Sequence, residues 1–372
     1  MKSRRKAVPK IEAKKYLLFI PAILLVICLW CGIAFTIAAH PTPKILQKHD
    51  SEEALLNELD KMSFDELIDE INELGDDYAY EGLSGYAHAL YGKLYDVSVD
   101  TITNLVISKC STENLKCLIL DLCSDEMKPI RLDYNKLISE LLNTSNTADF
   151  RSSILLYLNQ YDTYADEDGF TDILAELTAD ADDTVSSFAL QALYYSDAER
   201  AMPIIDSIFY AGNTNNKTFT EIRALDLKAD SLWKNKDPAE ISRFLTECDL
   251  RVQNEQNALS VLYALIDVHS VDTMLYVLNC SIAPETMKLY CVYHNYSCLS
   301  EWFFAEPISV ERVEKMIQYL DYYPAKQAIP DLQKALDENP AFFSENPDLK
   351  EKIELVEKKI EKEGGDIFGA WQ

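Results

Sequence analysis

Residues 182–208 read DDTVSSFALQALYYSDAERAMPIIDSI. Val185, Ala189 and Leu193 recur at helical spacing, and a second amphipathic segment, AMPIIDSIF, begins at Ala201. Neither segment is long enough to bury its apolar face alone, so together they predict a helix pair. The pair has counterparts on both sides. Small-plus-aliphatic dipeptides stand at Cys117-Leu118, Ile154-Leu155, Ala189-Leu190, Ala224-Leu225 and Ala258-Leu259, at steps of 37, 35, 35 and 34 residues. About fifteen residues after each comes a second amphipathic segment: NKLISELL, TDILAEL, AMPIIDSIF, AEISRFL and VDTMLYVL. A helix pair recurring at this period predicts an α-solenoid, in which each pair buries its apolar face against its neighbours.

Asp183, Val185, Ala189 and Leu193 occupy the characteristic positions of a HEAT helix, and residues 182–209 resemble a HEAT repeat. Ser186 stands where HEAT helices often carry a basic residue. The resemblance implies an all-α fold, an α-α superhelix that binds protein or peptide on its concave surface. Helix signals elsewhere agree. Asp50-x-x-Glu53, Ser63-x-x-Glu66 and Asp237-Pro-Ala-Glu240 match capping boxes. Gly75 and Asn346-Pro347 mark a helix stop and a helix start. Leu67, Ile71 and Leu74, then Ile102, Leu105 and Val106, then Ile353, Val356 and Ile360 fall three or four apart. Alternating strand patterns are missing, and only ten glycines occur.

The N-terminal region reads differently. Seven basic residues, Lys2, Arg4, Arg5, Lys6, Lys10, Lys14 and Lys15, face one acid, Glu12, in the first fifteen positions. Residues 16–39, YLLFIPAILLVICLWCGIAFTIAA, then run for 24 positions without a charge. A helix of that length spans about 36 Å, enough for a hydrocarbon core of roughly 30 Å. It exceeds the roughly 7–15 apolar residues of a cleavable leader, so a retained anchor is expected. The positive-inside rule places the tail in the cytoplasm and the remainder outside. The expected organisation is a basic tail (1–15), a transmembrane helix (16–39) and a juxtamembrane linker (40–50). Then come N-terminal helices (51–110), helical repeats (111–306), C-terminal capping helices (307–363) and a flexible tail (364–372).

Charge narrows the partners. Without the first fifteen residues the chain holds 28 basic and 61 acidic residues, a formal charge of −33. Such a surface excludes nucleic acid, whose phosphates require a basic face, and favours cationic partners. Seven cysteines lie beyond the apolar run, most of them among aliphatic neighbours as in NLKCLILDLC, and read as small core residues. Cys28 and Cys31 lie within the apolar run, where a thiolate is disfavoured.

Catalytic signatures are missing: the chain has no G-x-S-x-G, no H-E-x-x-H and no glycine-rich phosphate loop. Its five histidines show no ligand-like spacing, so no metal, cofactor or catalytic residue is assigned. The acidic turn Asp162, Asp166, Glu167, Asp168, Gly169 and Asp172 puts Tyr164 and Ala175 where an EF-hand needs chelators, and reads as a solvated loop. The 21 tyrosines include a cluster at Tyr78, Tyr80, Tyr86, Tyr91 and Tyr95, and another at Tyr290, Tyr293 and Tyr296. Tyr91, Tyr95, Tyr290 and Tyr293, with Phe368 and Trp371 of the tail, are the candidate partner-binding residues, since aromatic side chains offer large contact area at low entropic cost. The expected function is a membrane-tethered, extracytoplasmic scaffold that binds protein or peptide without catalysis. The alternative is a cell-envelope enzyme or polymer-binding protein with a glycosidase-like carboxylate pair in a groove.

Overall fold

Local rules start and stop the helices. Ser63 Oγ accepts from Glu66 N–H, and Glu66 answers by accepting from Ser63 N–H at 2.7 Å, closing the expected capping box. Gly75 ends that helix at φ 75, a conformation a Cβ would strain. Asp237 caps the helix that opens at Pro238, and another helix begins at Pro347. The computed structural model describes residues 52–76, 83–125, 128–160, 169–211, 218–254, 257–305 and 307–364. All its regular elements are α-helices apart from single-residue features, so the fold is all-α. The segments 1–15, 16–39 and 40–50, Tyr78, Tyr80, the acidic turn before Gly169, Phe368 and Trp371 lie outside the described residues. Among the described residues no helix is long and apolar enough to cross a membrane.

The chain divides into two compact units at residues 163 and 164. The first holds α1 (Glu52–Leu59), α2 (Phe64–Leu74), α3 (Ser84–Leu94), α4 (Val99–Ile107), α5 (Glu113–Cys123), α6 (Tyr134–Leu142) and α7 (Ala148–Asn159). The odd-numbered helices pack in succession, α4 packs on α6, and α4–α5 and α6–α7 pack across the two rows. Arg151 of α7, only 3% exposed, donates through Nε to the Leu141 carbonyl at the end of α6, at 2.7 Å. That bond satisfies one of the carbonyls every helix end leaves open.

The second unit continues the alternation. It holds α8 (Phe170–Leu177), α9 (Asp183–Ser196), α10 (Ala198–Ala211), α11 (Thr218–Asn235), α12 (Pro238–Gln253), α13 (Ala258–Asp267) and α14 (Val271–Asn279). Next are α15 (Glu285–His294), α16 (Tyr296–Phe304), α17 (Val310–Tyr322), α18 (Ala328–Glu338), α19 (Pro340–Glu345) and α20 (Pro347–Glu363). Helices α9, α11, α13 and α15 pack one on the next, and α14, α16 and α18 form a second row. Helix α20 lies against α17, α18 and α19. One apolar core runs from Phe209 to Ile360 and includes Ile353, Val356 and Ile360, the face their spacing predicted.

The 35-residue period survives as helix starts. Helices α5, α7, α9 and α11 begin at Glu113, Ala148, Asp183 and Thr218, 35 residues apart each time. An acid at the first position links successive starts within a unit. Asp183 accepts from Phe219 N–H at 2.7 Å and Thr220 N–H at 2.9 Å, capping α11 from α9. Glu113 likewise accepts from the Thr147 hydroxyl at the start of α7. The end members of the dipeptide ladder differ from the rest in burial. Ala258-Leu259 is not an inward pair, because Leu259 is 53% exposed; Ala264-Leu265, 1% and 0% exposed, fills that place. At the other end Ile119-Leu120 stands 35 residues before Ile154-Leu155 and is fully buried, whereas Cys117 of the expected pair is half-buried. The step from α11 to α13 is 40 residues because α11 and α12 are longer than α9 and α10.

The surroundings of Ser186 account for the small residue at that position. It is fully buried, and its hydroxyl donates to the Thr178 carbonyl at the end of α8 at 2.5 Å. A long basic chain has no room there. The seven cysteines among the described residues are free, and burial pushes the Cys123 and Cys291 thiols up to about 12.

Candidate functional site

Many of the described tyrosines are consumed inside the fold. Tyr157 donates to the Ile130 carbonyl, Tyr276 to Asp249 and Tyr296 to Asp331, each at 2.7 Å. These bonds tie segments about thirty residues apart, so tyrosine here largely serves the packing between successive helices. Of the candidate partner-binding residues, Tyr95 donates to the Lys128 carbonyl at 3.1 Å with the Lys128 ammonium 3.6 Å from its ring. Tyr91 meets Tyr95 edge-on at 5.5 Å and is 36% exposed. Tyr293 donates to the Pro324 carbonyl at 3.0 Å. Tyr290 turns to a different group, and that group is the site.

Along the exposed side of α11, α13 and α15 run five rings in contact. Trp233 lies 5.7 Å from His269, His269 lies 4.7 Å from His294, and His294 stacks on Tyr290 at 4.9 Å and 17°. Tyr290 then meets Tyr263 edge-on at 6.2 Å. Trp233 is 46% and Tyr263 is 50% exposed, so the row faces solvent. Helix ends build it. Trp233 is two residues before the end of α11, His269 two past the end of α13, and His294 is the last residue of α15. His269 holds its ring there from a left-handed backbone, φ 50, in the short α13–α14 turn. The Cys298 thiol donates to the His269 carbonyl at 3.2 Å and fixes the turn from below.

One carboxylate, Asp267, borders the rings, and two more, Asp226 and Asp230, stand on the turns of α11 that precede Trp233. Asp267 lies 3.8 Å from His294 Nε2, and Asp230 pairs with Lys234 at 2.6 Å. Asp226 is reached by solvent, yet the surrounding protein desolvates it enough to lift its carboxyl to about 6; Arg223 opposes the shift and Asp267 adds to it. Asp267 is raised by the same desolvation, though its side chain is 56% exposed. Burial and the charges of His294 and Lys236 hold His269 below its ordinary value, favouring neutral imidazole. The helix ends add to this field, since open carbonyls give each C-terminus about half a negative charge.

The hollows of the fold lie away from the ring row and are less equipped. One of about 390 Å³ between α5 and α7 sets Glu113, Asp121 and Asp149 around Cys117 and Leu156. Another of about 760 Å³, between α12 and α14, is lined by Leu275, Tyr276 and Lys315. Among the described residues no group of three His, Cys, Asp or Glu side chains is placed to hold a metal ion.

No family model, curated protein or solved structure matches the chain. The site is therefore read from its own geometry. Of the residues singled out by sequence, Tyr290 belongs to the row; Trp233, Tyr263, His269, His294, Asp226 and Asp267 were missed. Tyr263 with Asp267 and Tyr290 with His294 are four apart on one helix, but Trp233, His269 and His294 meet only between neighbouring helices, where spacing within one helix carries no sign of it. The available signal was position within the helix pair, because three of the rings sit at the ends of successive odd-numbered helices.

Proposed function

We propose that the chain is a membrane-tethered, extracytoplasmic helical-repeat scaffold of HEAT-like build, which binds a protein or peptide along α11, α13 and α15. The observation that carries the reading is the exposed row of five rings in mutual contact. Isolated exposed apolar residues are ordinary, but a continuous aromatic row on a rigid helical face is the composition of an interaction hot spot. The uncharged run 16–39 and its seven basic neighbours support the tether and its direction.

A photo-reactive residue at position 263 of the full-length chain, expressed in intact cells, tests the reading. It is expected to give a discrete protein adduct, lost when Trp233→Ala is added. The same probe at Tyr322, which is 69% exposed on α17, is expected to give none. Exposed Cys110 in the same cells is expected to react with a membrane-impermeant maleimide. Equal adducts at 263 and 322 would remove the binding face, and a Cys110 labelled only after lysis would reverse the topology.

A second reading draws on the same carboxylates. Asp226, raised to about 6 in part by Asp267, has with it the chemistry of a glycan-cleaving pair. The open row, with rings about half exposed, favours the binding reading, because acid catalysis gains from a site closed to water. Hydrolysis of a cell-envelope glycan, abolished by Asp226→Asn, would reverse that preference.

A further inference from the structure

We infer that the ring row is a receptor for an arginine or lysine side chain presented on an extended segment of the partner protein. This inference rests on the peptide-binding reading and gives its ligand a chemistry. The fold itself shows how such a side chain is held. At the junction of α9 and α11, Lys234 pairs with Asp230 at 2.6 Å and sits 5.3 Å and 5.8 Å from the rings of Tyr194 and Tyr195. Tyr194 donates to the same Asp230 at 2.7 Å, and the two tyrosines meet edge-on at 5.4 Å. Two edge-on aromatic rings and a carboxylate thus enclose one ammonium group.

The junction of α13 and α15 brings the same kinds of side chain together. Tyr263 and Tyr290 are again edge-on, and Asp267 again borders them. Among the described residues neither Asp226 nor Asp267 forms an ion pair with Lys or Arg. The nearest cationic influences are Arg223 on Asp226 and His294 on Asp267. Both carboxylates sit where charge is partly desolvated, so an incoming cation relieves a cost already present. Helix polarity points the same way. The C-terminal ends of α11, α13 and α15 gather under Trp233, His269 and His294, and their partial negative charge attracts cations and repels anions. Trp233 and Tyr263 present faces on which a guanidinium stacks. The formal charge of −33 beyond residue 15 steers such a partner toward the face.

The test uses the full chain in nanodiscs and fluorescence anisotropy of a labelled decapeptide of alternating arginine and glycine. Its counterpart with citrulline replacing arginine keeps the shape and removes the charge, and a glutamate counterpart reverses it. Arginine is expected to bind at least tenfold more tightly than citrulline, and glutamate not at all. Asp226→Asn with Asp267→Asn is expected to erase most of the difference, and Trp233→Ala to weaken arginine binding about tenfold. Tyr322→Ala, a still more exposed aromatic on α17, is expected to change nothing. These positions are exposed, and circular dichroism checks that each variant keeps its helices. Citrulline binding within twofold of arginine, or affinity indifferent to the two aspartates, overturns the inference. If citrulline binding also falls with Trp233→Ala, the peptide-binding reading stands without it. No binding by any peptide, together with no adduct at position 263, overturns both.

Discussion

Replacing Arg251 by methionine is expected to destabilise the second unit by about 3–5 kcal/mol, the cost of breaking a buried charge pair from one side. Arg251 and Glu221 have side chains only 4% exposed and meet at 2.5 Å between α12 and α11. The guanidinium also donates to the Phe209 carbonyl at 2.5 Å and reaches Glu247 at 3.3 Å. Its plane lies over the Phe209 ring at 4.7 Å, and that ring packs on Phe244 at 5.1 Å. One side chain therefore joins three helices and closes the last turn of α10, a fork that lysine could not reproduce. Methionine fills the volume but leaves Glu221 buried without its guanidinium. Glu221→Leu added to Arg251→Met is expected to recover most of the loss, because well-packed apolar replacements of a buried pair are often neutral. Urea titration of the full chain, followed by circular dichroism, measures both changes. A loss below about 1 kcal/mol for Arg251→Met would show that water reaches the pair.

Sequence pattern carried the local half of this fold and little of the rest. Ser63 with Glu66, Gly75, and Asp237 with Pro238 are legible because the group that needs a partner and the group that supplies it lie within three residues. The faces of α2, α4 and α20 are legible because a helix repeats its exposure every 3.6 residues. Arg251 and Glu221 stand 30 residues apart, and His269 and His294 25 apart. Their contact depends on how far one helix slides along the next, and no periodicity within either helix encodes that. The histidines looked scattered for this reason, yet their rings lie 4.7 Å apart. The tyrosine surplus was visible, but its division between internal bonds and an open face was not. Tyr290 and Tyr293 are near neighbours on one helix with opposite employments, one in the ring row and one bonded to Pro324.

Leu265→Ala is expected to cost about 2–5 kcal/mol, and Leu259→Ala less than about 0.5 kcal/mol. The contrast tests the register of α13. Leu265 is fully buried, in the core that also holds Leu225, Leu262 and Met274. Truncating it removes apolar burial and leaves a cavity that rigid neighbouring helices cannot fill. Leu259, 53% exposed, touches too little to matter for folding. It shares a face with Tyr263 and Asp267, each four residues on, and all three are exposed. A register that turned Ala258-Leu259 inward would make that face the core and remove Tyr263 from the ring row. The same six-residue difference therefore decides both the packing of α13 and the existence of its binding face. Hydrogen exchange along α13 reads the outcome directly. Faster exchange in Leu265→Ala with no change in Leu259→Ala keeps Tyr263 and Asp267 outward, whereas the reverse pattern would bury them and close the site.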